Sequence, residues 1–406
     1  MAQAGKASKS MMTVEQARAA MLAHAVPLDH ESIALEDALG RVLARPVSAA
    51  RDQPPFAVSA MDGYAIRSAD APGVLTVTGE SAAGAGFEGV CGKGCAIRIS
   101  TGAAMPAGAD AIVIQEDVQR DGAVLTVPAA RSNQHVRPQA GDFSAGAVLL
   151  EASRKLDGVA VSLAAAAGAA RVDVVRRPRI AILSSGDELA APGTAPGPWQ
   201  IFESATFGIA GLACQWGAIC ERLAVEKDDV EAIAGAAEAG LRDSDLLVVI
   251  GGASVGDHDH ARPALMKLGL ALAVEKVAVR PGKPTWFGKA PDAMVLGLPG
   301  NPASALVCAQ LFLKPLIRAM LGQSAQPVVR RARLAKSLSA NGPREHYLRA
   351  RWQSDEEGRL TVTAFEDQDS SLISVFAAAN ALIRLPPNLP AQAAGAPVDM
   401  LMLDAP

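Results

Sequence analysis

The feature that most limits the possible folds is a series of short, almost wholly apolar runs in the second half of the chain. They read RIAIL (179–183), LLVVI (246–250), AVEKVAV (273–279) and AMVLGL (293–298). Helical patterns such as DDVEAIAGAAEAGLRD lie between them. Strands that are apolar throughout and alternate with helices are typical of a parallel sheet covered on both faces. The sequence therefore predicts a central parallel α/β domain at 179–326.

Each apolar run is followed by a loop rich in glycine, serine, proline or charge. The loops contain Ser184, Gly186, Asp187 and Glu188; then Gly251, Gly252, Ser254, Gly256 and Asp257; then Arg280 and Lys283; and finally Pro299, Gly300, Asn301 and Ser304. Ligands of open parallel sheets bind beyond the carboxyl ends of the strands. Small residues let backbone N–H groups approach a phosphate, and a helix N-terminus adds a favourable dipole. The four loops together predict a site for an anion or a nucleotide-like ligand.

The second loop continues as Asp257-His258-Asp259-His260, which raises the question of a metal. The carboxylates there, with Asp187 and Glu188, can hold a hard divalent cation that bridges phosphate oxygens. Zinc at the two histidines would need a third ligand, and no further His or Cys lies near them in the sequence. The residues favour the hard cation, with the histidines as solvated loop residues or secondary contacts.

The regions on either side of the predicted α/β domain have a different residue pattern. Thr13 and Gln16 form a capping-box pattern, which predicts a helix that ends at Pro27. Short β-like runs broken by Gly and Pro follow, then an Ala-rich helical stretch, and alternating strands return near the C-terminus. The expected fold is multidomain α/β plus β. Its domains are a helical linker domain at 1–45 and 142–178, an inserted small β domain at 46–141, the α/β domain at 179–326 and a C-terminal β-barrel-like domain at 327–406.

Composition removes several classes of function. A net charge of −4 does not suggest a broad nucleic-acid-binding face. The first residues lack the apolar core of a secretory signal, and apolar stretches such as 159–170 are shorter than the ~20 residues that span a bilayer. Five scattered cysteines indicate reduced thiols. We therefore expect a cytoplasmic protein without nucleic-acid or membrane partners.

Two further carboxylates lie in short Gly-containing motifs outside the α/β region. Asp62 is in SAMDGYAIR (59–67) and Asp142 is in RPQAGDFSAG (137–146). Either can be a simple turn carboxylate, which is the commoner role of Asp beside Gly. If they act with the strand-end loops, the site must lie between domains or between subunits.

With these residues in view, the chain resembles the molybdopterin molybdenumtransferases, the family that also supplies the C-terminal domain of gephyrin. The resemblance covers nearly the whole chain and is specific only as an ordered set of motifs. The motifs are SAMDGYA (59–65), RISTGAAMPAGADAIVIQED (98–117), GDFSAGAVL (141–149), SSGDEL (184–189), GGASVGDHD (251–259), RPGKP (280–284), GLPGNPASA (297–305) and REHYLRA (344–350). It implies an α/β domain of the molybdopterin-binding type.

The resemblance implies an enzyme for the last step of molybdenum cofactor synthesis. Molybdate is placed on the dithiolene sulfurs of adenylylated molybdopterin, and the phosphoanhydride is hydrolysed to release AMP and the finished cofactor. Mg²⁺ is the implied cofactor. Such a hydrolysis needs negative charge spread over metal and basic groups, with a carboxylate to orient or deprotonate water.

Matching the family motifs to this sequence assigns a set of site residues. The implied catalytic acids are Asp62, Asp142, Glu188, Asp228 and Asp259, and the implied metal ligands are Glu188, Asp257 and Asp259. Thr101, Lys276 and Arg280 join the strand-end loop residues as substrate-binding positions. Relatives often carry lysine at the position of Arg280, and this exchange keeps the charge but changes the hydrogen-bond geometry.

The resemblance also implies partners. It suggests an elongated homodimer whose active cleft is shared between subunits. A molybdopterin adenylyltransferase would donate the substrate, and molybdoenzyme maturation factors would accept the product. Two segments depart from the family pattern: IFESATF (201–207) has Ala205 in place of an asparagine, and EDQDSSLIS (366–374) lacks a Gly-Ser-His pattern.

Two other functions are compatible with the residues. The first is adenylylation of molybdopterin, although enzymes of that type are usually small single domains with a GGTG loop, where this chain has Gly251-Gly252-Ala253-Ser254. The second is a scaffold that binds molybdopterin or the cofactor without catalysis, which the loss of an amide at Ala205 would fit. Release of AMP from the adenylylated substrate distinguishes both from the transferase.

Overall fold

The computed structural model describes residues 11–251 and 260–403. They form two compact units. One contains the chain up to Glu31 and again from Val175 onward, and the other is Ser32–Val174.

The first helix, α1, is Val14–Leu22 and confirms the capping-box prediction. The Thr13 side chain accepts a hydrogen bond from the Gln16 backbone N–H, and the Gln16 side chain accepts one from the Thr13 N–H. These bonds satisfy N–H groups that a helix start leaves unpaired. Val14, Ala17 and Met21 form its buried face.

The unit Ser32–Val174 consists mainly of short strands. The strands in and around it are β1 (His30–Ala34), β2 (Val47–Ser48), β3 (Val58–Ser59), β4 (Gly63–Ile66), β5 (Gly73–Ser81), β6 (Cys95–Ile99), β7 (Ala111–Ile114), β8 (Gln119–Asp121), β9 (Val124–Val127), β10 (Val136–Arg137), β11 (Val148–Leu150) and β12 (Arg171–Val175). Six of them form one sheet in the order β7-β4-β6-β5-β9-β8. Helix α2 (Gly158–Ala166) is capped by the Asp157 side chain and packs on a separate apolar cluster. The β-like runs and the Ala-rich helix of the sequence are therefore present.

The α/β region begins at Arg179. Its strands are β13 (Arg179–Ser184), β14 (Leu189–Ala190), β15 (Ile201–Phe202), β16 (Ile219–Arg222), β17 (Leu246–Ile250), β18 (Ala271–Val274), β19 (Val279–Arg280), β20 (Trp286–Lys289) and β21 (Met294–Leu298). Its helices are α3 (Ala205–Gln215), α4 (Val230–Arg242), α5 (Ala261–Lys267), α6 (Pro302–Cys308) and α7 (Lys314–Met320), the last two joined by a π-helical segment, Ala309–Leu313. The sheet order is β16-β13-β17-β21-β20-β18.

Four adjacent strands of this sheet, β16, β13, β17 and β21, are parallel. All five residues of β17 are buried, as expected for a strand covered on both faces. Burial of a Leu, Val or Ile side chain stabilises by about 1.5–3 kcal/mol each, so these strands anchor the fold. The parallel α/β prediction is confirmed for RIAIL, LLVVI and AMVLGL.

The prediction of one strand at 273–279 is wrong. The sheet contains only β18 from this stretch, while β19 pairs in parallel with strand Glu345–Ser354 of the C-terminal region. The charged pair Glu275-Lys276 divides the apolar run, and Val277 instead bridges to Met12. Strand β20, which the sequence reading missed, lies antiparallel between β21 and β18. The connection from β18 to β20 therefore leaves and re-enters the sheet at the edge where β21 ends.

The C-terminal strands are β22 (Val329–Leu334), β23 (Glu345–Ser354), β24 (Leu360–Ala364), β25 (Ala381–Leu385) and β26 (Pro397–Met402), with helix α8 at Ile373–Ala378. Strand pairing follows the cycle β23-β24-β22-β26-β25 and returns to β23. The sheet is thus a closed five-stranded barrel with an apolar interior, which confirms the β-barrel-like expectation.

The helical stretch Pro302–Met320 is long and apolar enough to cross a bilayer, but 83% of its most apolar window is buried inside the protein. It is a core helix of the α/β region. The five cysteines are all free thiols, as the sequence predicts.

Candidate functional site

The carboxyl ends of three parallel strands lie in register. Ser184 at the end of β13 pairs with Ile250 at the end of β17, which pairs with Leu298 at the end of β21. The loops that begin at Ser185, Gly251 and Pro299 therefore leave the sheet side by side. This edge is where open parallel sheets bind ligands.

The backbones of these loops approach one another too closely for ordinary side chains. Gly251 has φ +88°, and a Cβ there would lie 2.8 Å from the Ser185 carbonyl oxygen. A Cβ on Gly300 would lie 3.4 Å from the Gly251 Cα. The Gly251 N–H donates to the Leu298 carbonyl at 3.3 Å. Only glycine meets both requirements at position 251, because it adopts positive φ without strain and has no Cβ.

Two buried hydroxyls at this edge have no hydrogen-bond partner among the described residues. Ser184 is 1% exposed and Ser185 is 4% exposed, and both Oγ atoms are unsatisfied there. Buried polar atoms are nearly always paired, since an unmet hydrogen bond costs about 1–3 kcal/mol. Two unpaired hydroxyls at the edge where open sheets bind ligands indicate that their hydrogen-bond partner lies outside the described residues.

The first acidic cluster combines two loops. Glu226 extends the edge beyond β16, where its N–H donates to the Ser184 carbonyl and its own carbonyl accepts from Gly186. This places the Asp228 N–H 3.5 Å from Asp187 Oδ1. The Glu188 carboxylate folds over Gly186, where an added Cβ would lie 2.7 Å from Glu188 Oε2. The structure thus gathers three of the predicted residues, Asp187, Glu188 and Asp228, on one side of the edge.

Positive charge gathers around the connection between β18 and β20. Arg280 in β19 pairs with His346 in β23, and the Arg344 guanidinium donates to the Val279 carbonyl at 3.2 Å. Burial and the positive charges of Arg280, Arg344 and Arg349 lower the pKa of His346 to about 4. The histidine is therefore neutral at physiological pH, and the three arginines form the charge of the cluster. Lys276 is half-buried, and Lys283 is exposed in the same connection.

A third contact joins the edge to the C-terminal barrel. The Asn301 side-chain amide donates to the Ser370 hydroxyl at 2.9 Å, just before helix α6 begins. Ser370 belongs to the segment 366–374 that departs from the family pattern. Arg349 is held beside it, since its guanidinium donates to the Leu372 carbonyl at 3.0 Å. Pro299 and Ser304 are buried in the same turn and helix start.

Two predicted acids and a threonine lie in the other unit, Ser32–Val174. Thr101 donates to Asp62 Oδ1 twice, from its backbone N–H at 2.7 Å and from its hydroxyl at 3.0 Å. These bonds hold the pKa of Asp62 below its ordinary value. The Asp142 side chain is exposed, and its backbone N–H donates to the Gln53 carbonyl at 2.9 Å.

The rest of the predicted site falls outside the described residues. These positions are Gly252, Ser254, Gly256, Asp257 and Asp259, together with His258. His260 is described and is the N-cap residue of α5. Within residues 11–251 and 260–403, no group of three or more His, Cys, Asp or Glu side chains is placed to hold a metal ion.

The sequence reading missed a buried network in the segment around Ala205. Glu203 is 2% exposed and accepts from the Thr206 backbone N–H at 2.7 Å and from the Thr206 hydroxyl at 2.6 Å. Arg222 donates to the same hydroxyl at 2.9 Å and lies over the Phe207 ring. Helix α3 is therefore held at its start by Glu203, although Ala205 carries no amide. The usual helix-start patterns do not mark Glu203, because it precedes the N-cap residue Ser204 instead of occupying the N-cap.

Comparison with known proteins gives a consistent result. Three family models match in chain order: the MoeA N-terminal region (domain I and II) at residues 12–168, a probable molybdopterin binding domain at 181–319 and the MoeA C-terminal region (domain IV) at 331–403. A molybdopterin biosynthesis MoeA protein from Pyrococcus horikosii has a similar solved structure. Its TM-score is 0.86 at 27% identity, over 98% of this chain and 100% of that one.

Named relatives are similar over most of their length. The molybdopterin molybdenumtransferase of Nostoc sp. is 36% identical over 79% of this chain and 76% of its own. The molybdopterin molybdenumtransferase of Haemophilus influenzae is 34% identical over 92% of this chain and 94% of its own. The strand-end loops, the Asp62 turn and the C-terminal barrel thus lie within the matched regions, and this chain belongs to the molybdopterin molybdenumtransferase family.

Proposed function

We propose that this chain is a molybdopterin molybdenumtransferase. It binds adenylylated molybdopterin, transfers molybdate to the dithiolene sulfurs and hydrolyses the phosphoanhydride, so that AMP and the molybdenum cofactor are released. The observation that carries the proposal is the convergence of acidic, basic and hydrogen-bonding groups at one sheet edge, in a chain whose named relatives have this activity.

Each group has a role suited to its chemistry. The arginines around His346 provide fixed positive charge for molybdate or phosphate, because guanidinium groups pair with such anions through two hydrogen bonds. The Ser184 and Ser185 hydroxyls can donate to phosphate oxygens, which would satisfy them. Glu188, with Asp187 and Asp228 beside it, would orient the attacking water. The protein would act mainly by positioning and by fixed charge.

Magnesium fits the donors in chemical type. Glu188, Asp187 and Asp228 offer carboxylate oxygens at the edge, which hard divalent cations prefer, and Asp257 and Asp259 lie outside the described residues. We assign Glu188, Asp257 and Asp259 as the ligands. When bound, Mg²⁺ would neutralise charge on the phosphate oxygens.

The remaining assignments belong to the same proposal. Asp62, Thr101 and Asp142 take part in the active cleft of a homodimer in the cytoplasm. A molybdopterin adenylyltransferase supplies the substrate, and maturation factors of molybdoenzymes receive the product. The two hydrogen bonds from Thr101 support this role for Asp62, since they fix the position of its carboxylate.

The test is release of AMP by the purified full-length protein. Protein is incubated with adenylylated molybdopterin, molybdate and Mg²⁺, and AMP and cofactor are measured. We expect AMP release that depends on molybdate and Mg²⁺ and falls at least about 100-fold in Glu188→Gln, as for loss of a group that acts on the reacting water. The matched control is Asp243→Asn, an exposed acid at the other end of the sheet, which should retain full activity.

Two outcomes contradict the proposed function, and a third contradicts the role of Glu188. Binding of adenylylated molybdopterin without AMP release would indicate a scaffold. Consumption of ATP with free molybdopterin would indicate an adenylyltransferase. Full activity of Glu188→Gln would remove this acid from the mechanism.

A further inference from the structure

Trp199 is the most exposed large apolar side chain of the described residues, at 89% exposure. The other three tryptophans are covered: Trp286 is 0% exposed, Trp216 is 7% exposed and Trp352 is half-buried. An indole is rarely left in water, because it brings a large apolar surface that normally stabilises a core or an interface.

The backbone around Trp199 is fixed to the loop that carries the edge acids. The Gln200 side-chain amide donates to the Asp187 carbonyl at 3.2 Å, and its oxygen accepts from the Gly197 N–H at 3.0 Å. The Ile201 N–H donates to the Glu188 carbonyl at 2.7 Å. The indole therefore projects from a turn that is hydrogen-bonded, on its C-terminal side, to two of the proposed site residues.

The residues after Trp199 extend the apolar surface. Ile201 and Phe202 are 60% and 50% exposed, although they form β15 and pair with Leu189 and Ala190 of β14. Three exposed apolar side chains within four residues, next to a charged site, are unusual for a surface loop, where polar side chains are better solvated. Apolar surface of this kind commonly marks a binding position.

We propose that Trp199 binds the substrate by stacking its indole on one of the planar fused rings of adenylylated molybdopterin, the adenine or the pterin. This inference rests on the proposed function, which supplies a ligand with two such rings. The indole and ring faces would cover each other, while the phosphates extend toward the edge acids and arginines. Stacking of a base on an aromatic side chain is worth about 1–3 kcal/mol, or roughly 5- to 150-fold in affinity.

Calorimetry on the full-length protein tests the assignment with two probes, AMP and free molybdopterin. If adenine is the stacked ring, AMP affinity falls about 10- to 100-fold in Trp199→Ala and molybdopterin affinity is unchanged. If the pterin is stacked, the pattern reverses. Trp199→Phe keeps an aromatic plane and should recover most of the lost affinity in either case. Ile219→Ala is the control for removing an exposed apolar side chain, because Ile219 lies at the start of β16, at the opposite edge.

A fluorescence measurement tests whether the ligand covers the Trp199 indole directly. Iodide should quench Trp199 in the free protein, because it is the one fully exposed tryptophan of the described residues, and AMP or molybdopterin should protect it. In enzyme assays Trp199→Ala should raise KM for the adenylylated substrate by the same factor and leave kcat within about twofold, as for uniform binding.

Unchanged affinity for both probes in Trp199→Ala overturns the inference. So does an indole that iodide cannot reach in the free protein, combined with a changed sedimentation coefficient in Trp199→Ala, because the side chain would then be a subunit contact. These results are separable from failure of the proposed function. That failure would show as no AMP release by the wild-type protein, whereas the Trp199 variants are read by binding.

Discussion

The two edges of the central sheet differ in how completely their polar groups are satisfied. At the amino edge, Asp245 accepts from both guanidinium nitrogens of Arg176, at 2.9 and 2.7 Å, and from the Arg179 N–H at 2.8 Å. At the carboxyl edge, the Ser184 and Ser185 hydroxyls are buried without a described partner. Both edges belong to the same strands and share one core.

The difference indicates that the amino edge stabilises the fold, and it supports the proposed ligand site at the carboxyl edge. Asp245 clamps the starts of β13 and β17, and its bonds are complete without any other molecule. Among the described residues, the carboxyl edge carries buried hydroxyls without a partner and like-charged arginines, both of which cost stability unless a ligand offsets them. A substitution should therefore affect stability at the first edge and ligand binding at the second.

The largest effect is expected for Gly251→Ala. The new Cβ would meet the Ser185 carbonyl and the residue would keep an unfavourable φ, so the loops must move apart. We expect AMP release to fall by about 100-fold or more, because displacements of about 1 Å can cost this much, and stability to fall by about 1–3 kcal/mol. Gly235→Ala is the matched control, since it lies in helix α4 and an added Cβ there would meet no atom within 4 Å. Equal losses in both variants would show that the crowding at Gly251 is not the cause.

Asp245→Ala, at the amino edge, should lower stability and leave activity unchanged. It removes the partner of Arg176, whose guanidinium is only 34% exposed, and leaves the Arg179 N–H unpaired. We expect a loss of about 2–3 kcal/mol in the free energy of unfolding, measured by urea denaturation, with unchanged activity per folded molecule. Asp243→Ala, an exposed neighbour, should cost less than about 0.5 kcal/mol. A specific loss of kcat in Asp245→Ala would contradict the division between edges.

Burial of His346, together with the charge of the nearby arginines, makes stability depend on pH. Because the pKa of His346 is about 4 in the folded protein, the unfolded chain binds a proton between about pH 6.5 and 4 that the folded chain does not. Stability from this group is thus complete above pH 6.5 and is lost as the pH falls toward 4. His346→Gln should reduce that loss by about 1–2 kcal/mol at pH 5, as measured by thermal unfolding across this range. An unchanged pH profile, with the exposed His30→Gln as control, would contradict the assignment.

The smallest effect is expected for Ser184→Ala. Its hydroxyl has no described partner, so its removal should change stability by less than about 0.5 kcal/mol. If the hydroxyl donates to an uncharged group of the substrate, KM should rise about 3- to 10-fold, and a phosphate oxygen, being charged, should give a rise of about 10-fold or more. Ser81→Ala is the contrast, because the buried Ser81 hydroxyl donates to the Ala104 carbonyl at 2.8 Å and its loss should cost about 1 kcal/mol. A KM unchanged in Ser184→Ala would mean that the ligand does not satisfy this group.

Local patterns predicted the elements, and long-range pairing decided the exceptions. RIAIL, LLVVI and AMVLGL are uninterrupted apolar runs, so their strand character and burial follow from composition alone. AVEKVAV has as many apolar residues as LLVVI, but Glu275 and Lys276 divide them, and Val279 and Arg280 pair with residues 345 and 346, a choice that no local pattern encodes. Strand β16 is short and lies at the sheet edge, and its ICER sequence, two apolar residues followed by two charged ones, carries little strand signal.

The loop residues of the site could be predicted from the sequence, but the hydrogen bonds that join these loops to the barrel could not. Glycine and acids after buried strands follow a general rule of open sheets, which led to Asp187, Glu188 and Gly251. The Asn301–Ser370 bond joins residues 69 positions apart, so it required the folded barrel. Asp62, Thr101 and Asp142 came from the family resemblance, and their roles stay predictions.

The segment between β18 and β20 leaves the sheet and pairs with the barrel, so it links the two physically. Arg280 is held by strand pairing to the barrel, yet the segment that contains it begins and ends in the sheet. The barrel therefore cannot tilt away without carrying a positive charge with it. By thermodynamic reciprocity, an anion that engages Arg280 must tighten the attachment of the barrel to the same degree that the attachment favours the anion. If the substrate engages Arg280 as proposed, substrate binding and attachment of the barrel are therefore energetically coupled.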